Sequence, residues 1–284
     1  MAGDAEQQLR AYVEYFRDMG IHDFYRRGEP LAIETLEIAA AEPLPVAVES
    51  EPVVPPAIAA ALPSSHGLQE TVIPKLISFD DLAPLPQTPI PAAQREASMQ
   101  AIRDEIGDCT RCPLAYAGRR NIVFGDGDPG ARLMFVGEGP GADEDATGVP
   151  FVGKAGQLLN NMIGAMGLKR EEVYIANIVK CRPPANRVPE PVEANTCAQF
   201  LVKQIDVVQP EVIVALGATA ATYLLGVKQS LASLRGTWHS CRGAKVAVTY
   251  HPAFLLRDPR QKGEAWKDLQ RVMAEMGLKP PAKA

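Results

Sequence analysis

The chain has 284 residues, 46% of them hydrophobic, a net charge of −5 and five cysteines. This is ample apolar material for one well-cored domain and an appendage, no apolar run approaches the ~20 residues that span a bilayer, and the cysteines are too few and odd in number for a disulfide framework. The first residues, MAGDAEQQLRAYVEYF, are charged and lack an apolar secretory core, so the expectation is a cytoplasmic protein of prokaryotic type with no membrane association.

Charge is unevenly placed. Residues 1–100 hold 6 Lys and Arg against 15 Asp and Glu, and residues 101–284 hold 23 against 19. The mild positive excess of the second part permits nucleic-acid binding without arguing for it. Residues 4–27 carry a broad apolar stripe (Leu9, Tyr12, Val13, Tyr15, Phe16, Met19, Phe24) that predicts a helix. Residues 40–66 are rich in Pro, Ala, Glu and Val and read as linker, and no structure is assigned to residues 67–95. The expected blocks are a helical segment over 1–39, a disordered linker over 40–95 and a folded domain over 96–284.

In that domain a helix, QREASMQAIRDEIGD, leads to Cys109. Apolar, β-rich runs follow at Leu133–Gly137, Val173–Val179, Val212–Leu216 and Val246–Tyr250. Helical patterns lie between and after them at Ala155–Met166, Pro191–Val208, Ala218–Leu225 and Glu264–Met276. Short apolar strands alternating with helices predict a three-layer α/β/α domain around a four-stranded parallel sheet. Its site is expected where the strands end.

The strand ends carry the motifs. The first runs into GEGPGADEDATGVPFVGKAGQLL, the second into NIVKCRPPANRVPEP and the last into TYHPAFLLR. A glycine-rich turn between strand and helix suits many phosphate ligands, so alone it is a weak signal. Cys109 and Cys112 form a C-x-x-C pair, and Cys181 and Cys197 follow far downstream. Four such thiolates suit zinc or an iron–sulfur cluster. Cys241 has no partner nearby in sequence and reads as an ordinary buried thiol.

Together, over about residues 96–278, these motifs resemble family 4 of the uracil-DNA glycosylase superfamily, the iron–sulfur type. The resemblance implies a [4Fe–4S] cluster held by Cys109, Cys112, Cys181 and Cys197, with a structural role. It implies uracil-containing DNA, single- or double-stranded, as substrate, hydrolysis of the N-glycosidic bond of a flipped-out uracil, and the start of base-excision repair by a monomer. Phe151 matches the stacking aromatic and Asn177 the edge reader, whose amide can donate to uracil O4 and accept from N3–H. His251 matches the histidine placed against uracil O2, where negative charge grows. Glu138 matches an acid near the sugar, Gly139 and Pro140 line the pocket, and Glu144 is expected to position water. Leu255 is the expected wedge into the duplex, with Leu256 as its rival. Arg257, Lys154, Lys180 and Arg182 are candidates for phosphate contact. Asp143 and Asp145 are read as solvated.

Two departures from neighbouring families narrow the reading. The segment after Asn177 has no histidine and no basic insertion, which disfavours covalent trapping of the DNA. The acid at Glu138 is absent from a thermophile-associated sister family and favours narrow uracil specificity. The competing expectation is a non-catalytic iron–sulfur module that only binds DNA. Residues 1–95 are expected to form an arm for a replication or repair partner.

Overall fold

The computed structural model describes residues 76–279; the expected N-terminal helix and residues 40–75 of the linker lie outside them. Six strands form one sheet: β1 (Asp126–Gly127), β2 (Leu133–Gly137), β3 (Tyr174–Asn177), β4 (Val212–Leu216), β5 (His239–Cys241) and β6 (Ala244–Thr249), in the order β1-β3-β2-β4-β6-β5. The four central strands are mutually parallel, as expected. Two antiparallel edge strands, β1 and β5, extend the sheet to six. They are two and three residues long, too short to show any periodicity in the sequence.

The strand sequences alternate between two cores, because side chains two residues apart share a face. Met134, Val136, Ala176, Ile213, Ala215, Val246 and Val248 face one layer. That layer is built from α2 (Ala92–Ile106), α5 (Pro191–Val208) and α6 (Ala218–Leu225). Leu133, Phe135, Ile175, Val212, Val214, Leu216 and Ala247 face the other. Its helices are α4 (Lys154–Ala165) and α9 (Lys262–Met276), which contribute Leu159, Ile163, Leu269, Val272 and Met273. Both faces are covered, so the strands read as continuous apolar runs. Short helices complete the set: α1 (Phe79–Leu82), α3 (Ala142–Thr147), α7 (Leu231–Leu234) and α8 (Pro252–Arg257).

Residues 76–91 differ from the expected linker. Phe79 is buried in the core. Arg242, itself buried, donates to the carbonyls of Phe79, Ala83 and Pro84 and pairs with Asp206. Proline-rich composition hid one anchoring aromatic and a run of carbonyls that an arginine fork could collect.

Register brings the carboxyl ends together. Gly137 stands opposite Asn177, and Leu216 opposite Thr249. Everything that follows a parallel strand therefore emerges at one edge of the sheet.

Candidate active site

A cavity of about 500 Å³ lies at that edge, and all four parallel strands contribute to it. Glu138, Gly139 and Pro140 follow β2, Asn177 ends β3, Gly217 and Thr219 follow β4, and His251 lies just beyond β6. Phe151 and Arg257 also line it. Lys154 is exposed at the start of α4.

Asn177 is buried, and its Oδ1 is the one buried side-chain polar atom among the described residues that lacks a hydrogen-bond partner. A buried, unpaired amide oxygen costs about 1–3 kcal/mol, so Asn177 is a candidate for pairing with a bound molecule or a water. Gly137 makes room for it: a Cβ there would collide with Asn177 Oδ1 and sit 2.6 Å from Phe151 Cζ. The Phe151 ring, itself buried, stands 5.6 Å from the His251 ring, tilted by 32°.

The His251 tautomer follows from its cap. His251 precedes α8, and its Nδ1 accepts the Ala253 N–H at 3.1 Å. Nδ1 therefore carries no proton, and the neutral ring bears its hydrogen on Nε2. Burial, and then the nearby Arg257 guanidinium, pull its pKa down to about 4, against a smaller opposing effect of Glu144. At neutral pH the ring is an uncharged donor.

Glu144, expected to position water, is engaged by main chain. Its Oε2 accepts Gly141 N at 3.0 Å and its Oε1 accepts Val152 N and Gly153 N at 3.0 and 3.1 Å. Its carboxylate ties the turn before α3 to the segment after Phe151. Leu255 is buried, whereas Leu256 is 42% exposed. One turn of α8 packs Leu255 inward and leaves Leu256 at the surface. Asp145 is also buried, where its Oδ1 accepts Arg120 N and Asn121 N.

Lys180, a candidate for phosphate contact, is fully enclosed. Its Nζ donates to Asn177 O at 3.0 Å and to Gln204 Oε1 at 2.6 Å, and burial lowers its pKa to about 8. Gln204 passes the network on to Phe124 O and Tyr174 Oη. A basic residue in a loop looks like a surface charge until the fold closes over it.

The four cysteines meet in a second, small space of about 20 Å³ beside Phe200. Arg111 donates to Cys109 Sγ at 3.4 Å, Arg119 to Cys181 Sγ at 3.3 Å and the Lys180 amide to Cys197 Sγ at 3.3 Å. Burial raises the pKa of Cys112 and Cys181 and pushes that of Cys197 up to about 12. Among the described residues, no three His, Cys, Asp or Glu side chains close on a point that could hold one metal ion. Four thiols lining one space are a donor set that fits zinc or an iron–sulfur cluster. Cys241 lies apart, buried.

The family described as the Uracil DNA glycosylase superfamily matches residues 124–270. The chain belongs to this superfamily. Proteins named Type-4 uracil-DNA glycosylase share 48% identity over 185 residues (Thermotoga maritima; 64% of this chain, 92% of the relative) and 39% over 192 residues (Archaeoglobus fulgidus; 65% and 96%). A Type-5 uracil-DNA glycosylase of Pyrobaculum aerophilum is 33% identical over 184 residues, 54% of this chain and 81% of the relative. The chain thus falls with the type-4 enzymes, and it is a DNA glycosylase, with DNA as its substrate. Among the described residues no helix is long and apolar enough to cross a membrane.

Sequence reading missed Gly217 and Thr219, and also Arg187 and Val188, all of which line the cavity. The first pair had a signal: LGAT repeats the pattern of an apolar strand entering glycine and then a helix. Gly217 takes φ +91°, and a Cβ there would press on His251 Cβ at 3.1 Å. Arg187 pairs through both terminal nitrogens with fully buried Glu193, a contact that nothing in the local sequence announces.

Proposed function

We propose that this cavity receives a uracil flipped out of DNA and that the enzyme hydrolyses its N-glycosidic bond, initiating base-excision repair as a monomer. What supports the reading is that Asn177, whose Oδ1 has no hydrogen-bond partner, lines one cavity together with Phe151 and His251. Uracil N3–H is a donor that would satisfy it, whereas cytosine N3 is an acceptor and would leave two acceptors facing each other. Phe151 supplies the stacking face.

His251 acts through Nε2–H. As the glycosidic bond breaks, negative charge gathers on the pyrimidine, and a neutral donor aimed at O2 stabilises it. Glu138, which lines the cavity, stabilises positive charge on the sugar or orients the attacking water. Glu144 holds the loop and touches no substrate. Gly139 and Pro140 line the base pocket with backbone. Leu256 replaces Leu255 as the wedge, and Arg257 and Lys154 take DNA phosphates.

The residues that would hold a [4Fe–4S] cluster are Cys109, Cys112, Cys181 and Cys197. Such a cluster supplies four metal–sulfur cross-links and no step of the hydrolysis. Arg111 and Arg119 supply positive charge beside the thiolates, which burial alone disfavours.

Uracil release from single- and double-stranded oligonucleotides carrying one uracil tests the reading. Asn177→Ala and His251→Ala are each expected to lose about 100- to 1000-fold in rate, as when one transition-state donor is removed. Wild-type rates in both variants would refute it. For residues 1–75, the part of the expected arm that precedes the packed segment, we propose an acidic partner arm. The truncation that tests it begins at residue 76, which keeps Phe79 in the core. Unchanged partner recovery by the truncated protein removes the idea.

A further inference from the structure

Phe151 has φ +53°. A bulky side chain is unfavourable in this left-handed region and persists only where its surroundings over-determine it. The surroundings here are two opposite charges. On one side, the Glu144 carboxylate accepts the N–H groups of Val152 and Gly153. On the other, the Arg170 guanidinium donates to Pro150 O at 2.7 Å and Phe151 O at 3.3 Å. Four successive main-chain groups around one residue are thus held between a carboxylate and a guanidinium.

Arg170 is itself anchored. It lies just before β3 and also donates to Asp126 Oδ2 on edge strand β1 and to Asn160 Oδ1 on α4. Gly156 on α4 lets the helix close on the same peptide, since a Cβ there would collide with Phe151 O. Arg170 does not line the cavity. The geometry points to Arg170 as a positioning residue for base recognition: with Glu144 it forces the strained Phe151 backbone and so sets the ring plane on which uracil stacks. This rests on the reading of Phe151 as the stacking face. Without the fork, Phe151 relaxes to negative φ and its ring leaves the face opposite His251.

The test uses the full chain with its cofactor and measures the inhibition constant of free uracil alongside KM and kcat on a uracil-containing single strand. Free uracil reports on the pocket alone. Arg170→Met is expected to raise both the inhibition constant and KM about tenfold, the scale of one lost base–aromatic stack, with a smaller change in kcat. Arg170→Lys keeps the charge but cannot hold two carbonyls with a fork, so it falls between. Met273→Ala, in the core on the same side of the sheet, lowers the melting temperature and leaves the inhibition constant at the wild-type value. Phe151→Ala separates the two readings. If it raises the constant while Arg170→Met or a folded Arg170→Lys does not, the positioning role is overturned and the stacking face stands. If Phe151→Ala leaves the constant unchanged, both are overturned. An equal rise in Met273→Ala also overturns the role, because destabilisation alone would then account for the effect.

Discussion

Two cavities of this domain are built by opposite means. The larger one is a product of register: four parallel strands end in line, so Gly137, Asn177, Gly217 and His251 converge through backbone hydrogen bonding alone. The smaller one is a product of side chains brought from a helix end, a loop and α5, 88 positions separating Cys109 from Cys197 in the numbering of the chain. In the first, the strand ends set the outline of the site, and the Arg170 and Glu144 side chains hold the Phe151 segment within it. A site assembled from distant side chains depends on each of them. Yet both are fed by one segment: Asn177 opens the loop, Cys181 lies four residues on, and Lys180 donates its Nζ to Asn177 O and its main-chain N–H to Cys197 Sγ.

The sharpest break of this contrast is Cys197→Ala. It is expected to abolish iron binding, read by metal analysis and the visible spectrum, and to cost more than about 4 kcal/mol, the range reserved for loss of a structural metal or its equivalent. Retention of full iron content would overturn the ligand set. Gly137→Ala attacks the other cavity only. Its Cβ collides with Asn177 Oδ1, so uracil release falls by about 100-fold or more, stability by about 1–3 kcal/mol, and iron content stays at the wild-type level.

Leu255→Ala and Leu256→Ala separate burial from contact with DNA. The first is expected to destabilise by about 2–5 kcal/mol. The second leaves the melting temperature unchanged and weakens action on double strands more than on single strands. Lys180→Met tests the link between the cavities. It leaves Asn177 O and Gln204 Oε1 without their buried donor, at about 1–3 kcal/mol, but keeps the main-chain N–H on Cys197 Sγ, so it is expected to raise KM and to leave the rate of iron loss to a chelator unchanged. Faster iron loss would show that the Lys180 side chain itself couples the two cavities.

The smallest effect is on pH dependence. The folded pKa of His251, about 4, lies below the ordinary histidine value of 6.5. The unfolded chain therefore binds a proton that the folded one refuses. Stability from this group is complete above pH 6.5 and is lost progressively as pH falls toward 4. Protonation would take Nδ1 from the Ala253 N–H. His251 ring protons in an NMR titration are expected to stay constant from pH 8 to 5.5, and a midpoint near 6.5 would refute the neutral-donor assignment.

Much of the fold was legible. The runs at Leu133–Gly137 and Val212–Leu216 coincide with β2 and β4, and Pro191–Val208 with α5. In each, a continuous apolar strand or a helix opened by proline leaves few alternatives. Cavity-lining residues were legible where glycine, asparagine or histidine stood at or just beyond the end of such a strand. What failed was orientation. Leu255 and Leu256 are chemically equal neighbours, and only the packing of α8 decides which faces inward. Lys180 and Asp145 looked like surface charges, and Glu144 like a free carboxylate, because their partners come from segments distant in sequence or from main-chain N–H groups that carry no residue code.

By itself, then, the sequence determined the parallel sheet, the edge at which the cavity opens and the four thiols, because periodicity and motif spacing are local properties of a chain. Tertiary structure alone decided which charges are buried, which leucine is exposed, and how Arg170 and Glu144 hold Phe151. Those outcomes depend on which groups approach within about 3 Å of each other after folding, and hydrogen bonds at that range are set by the packing of whole elements rather than by neighbours in sequence.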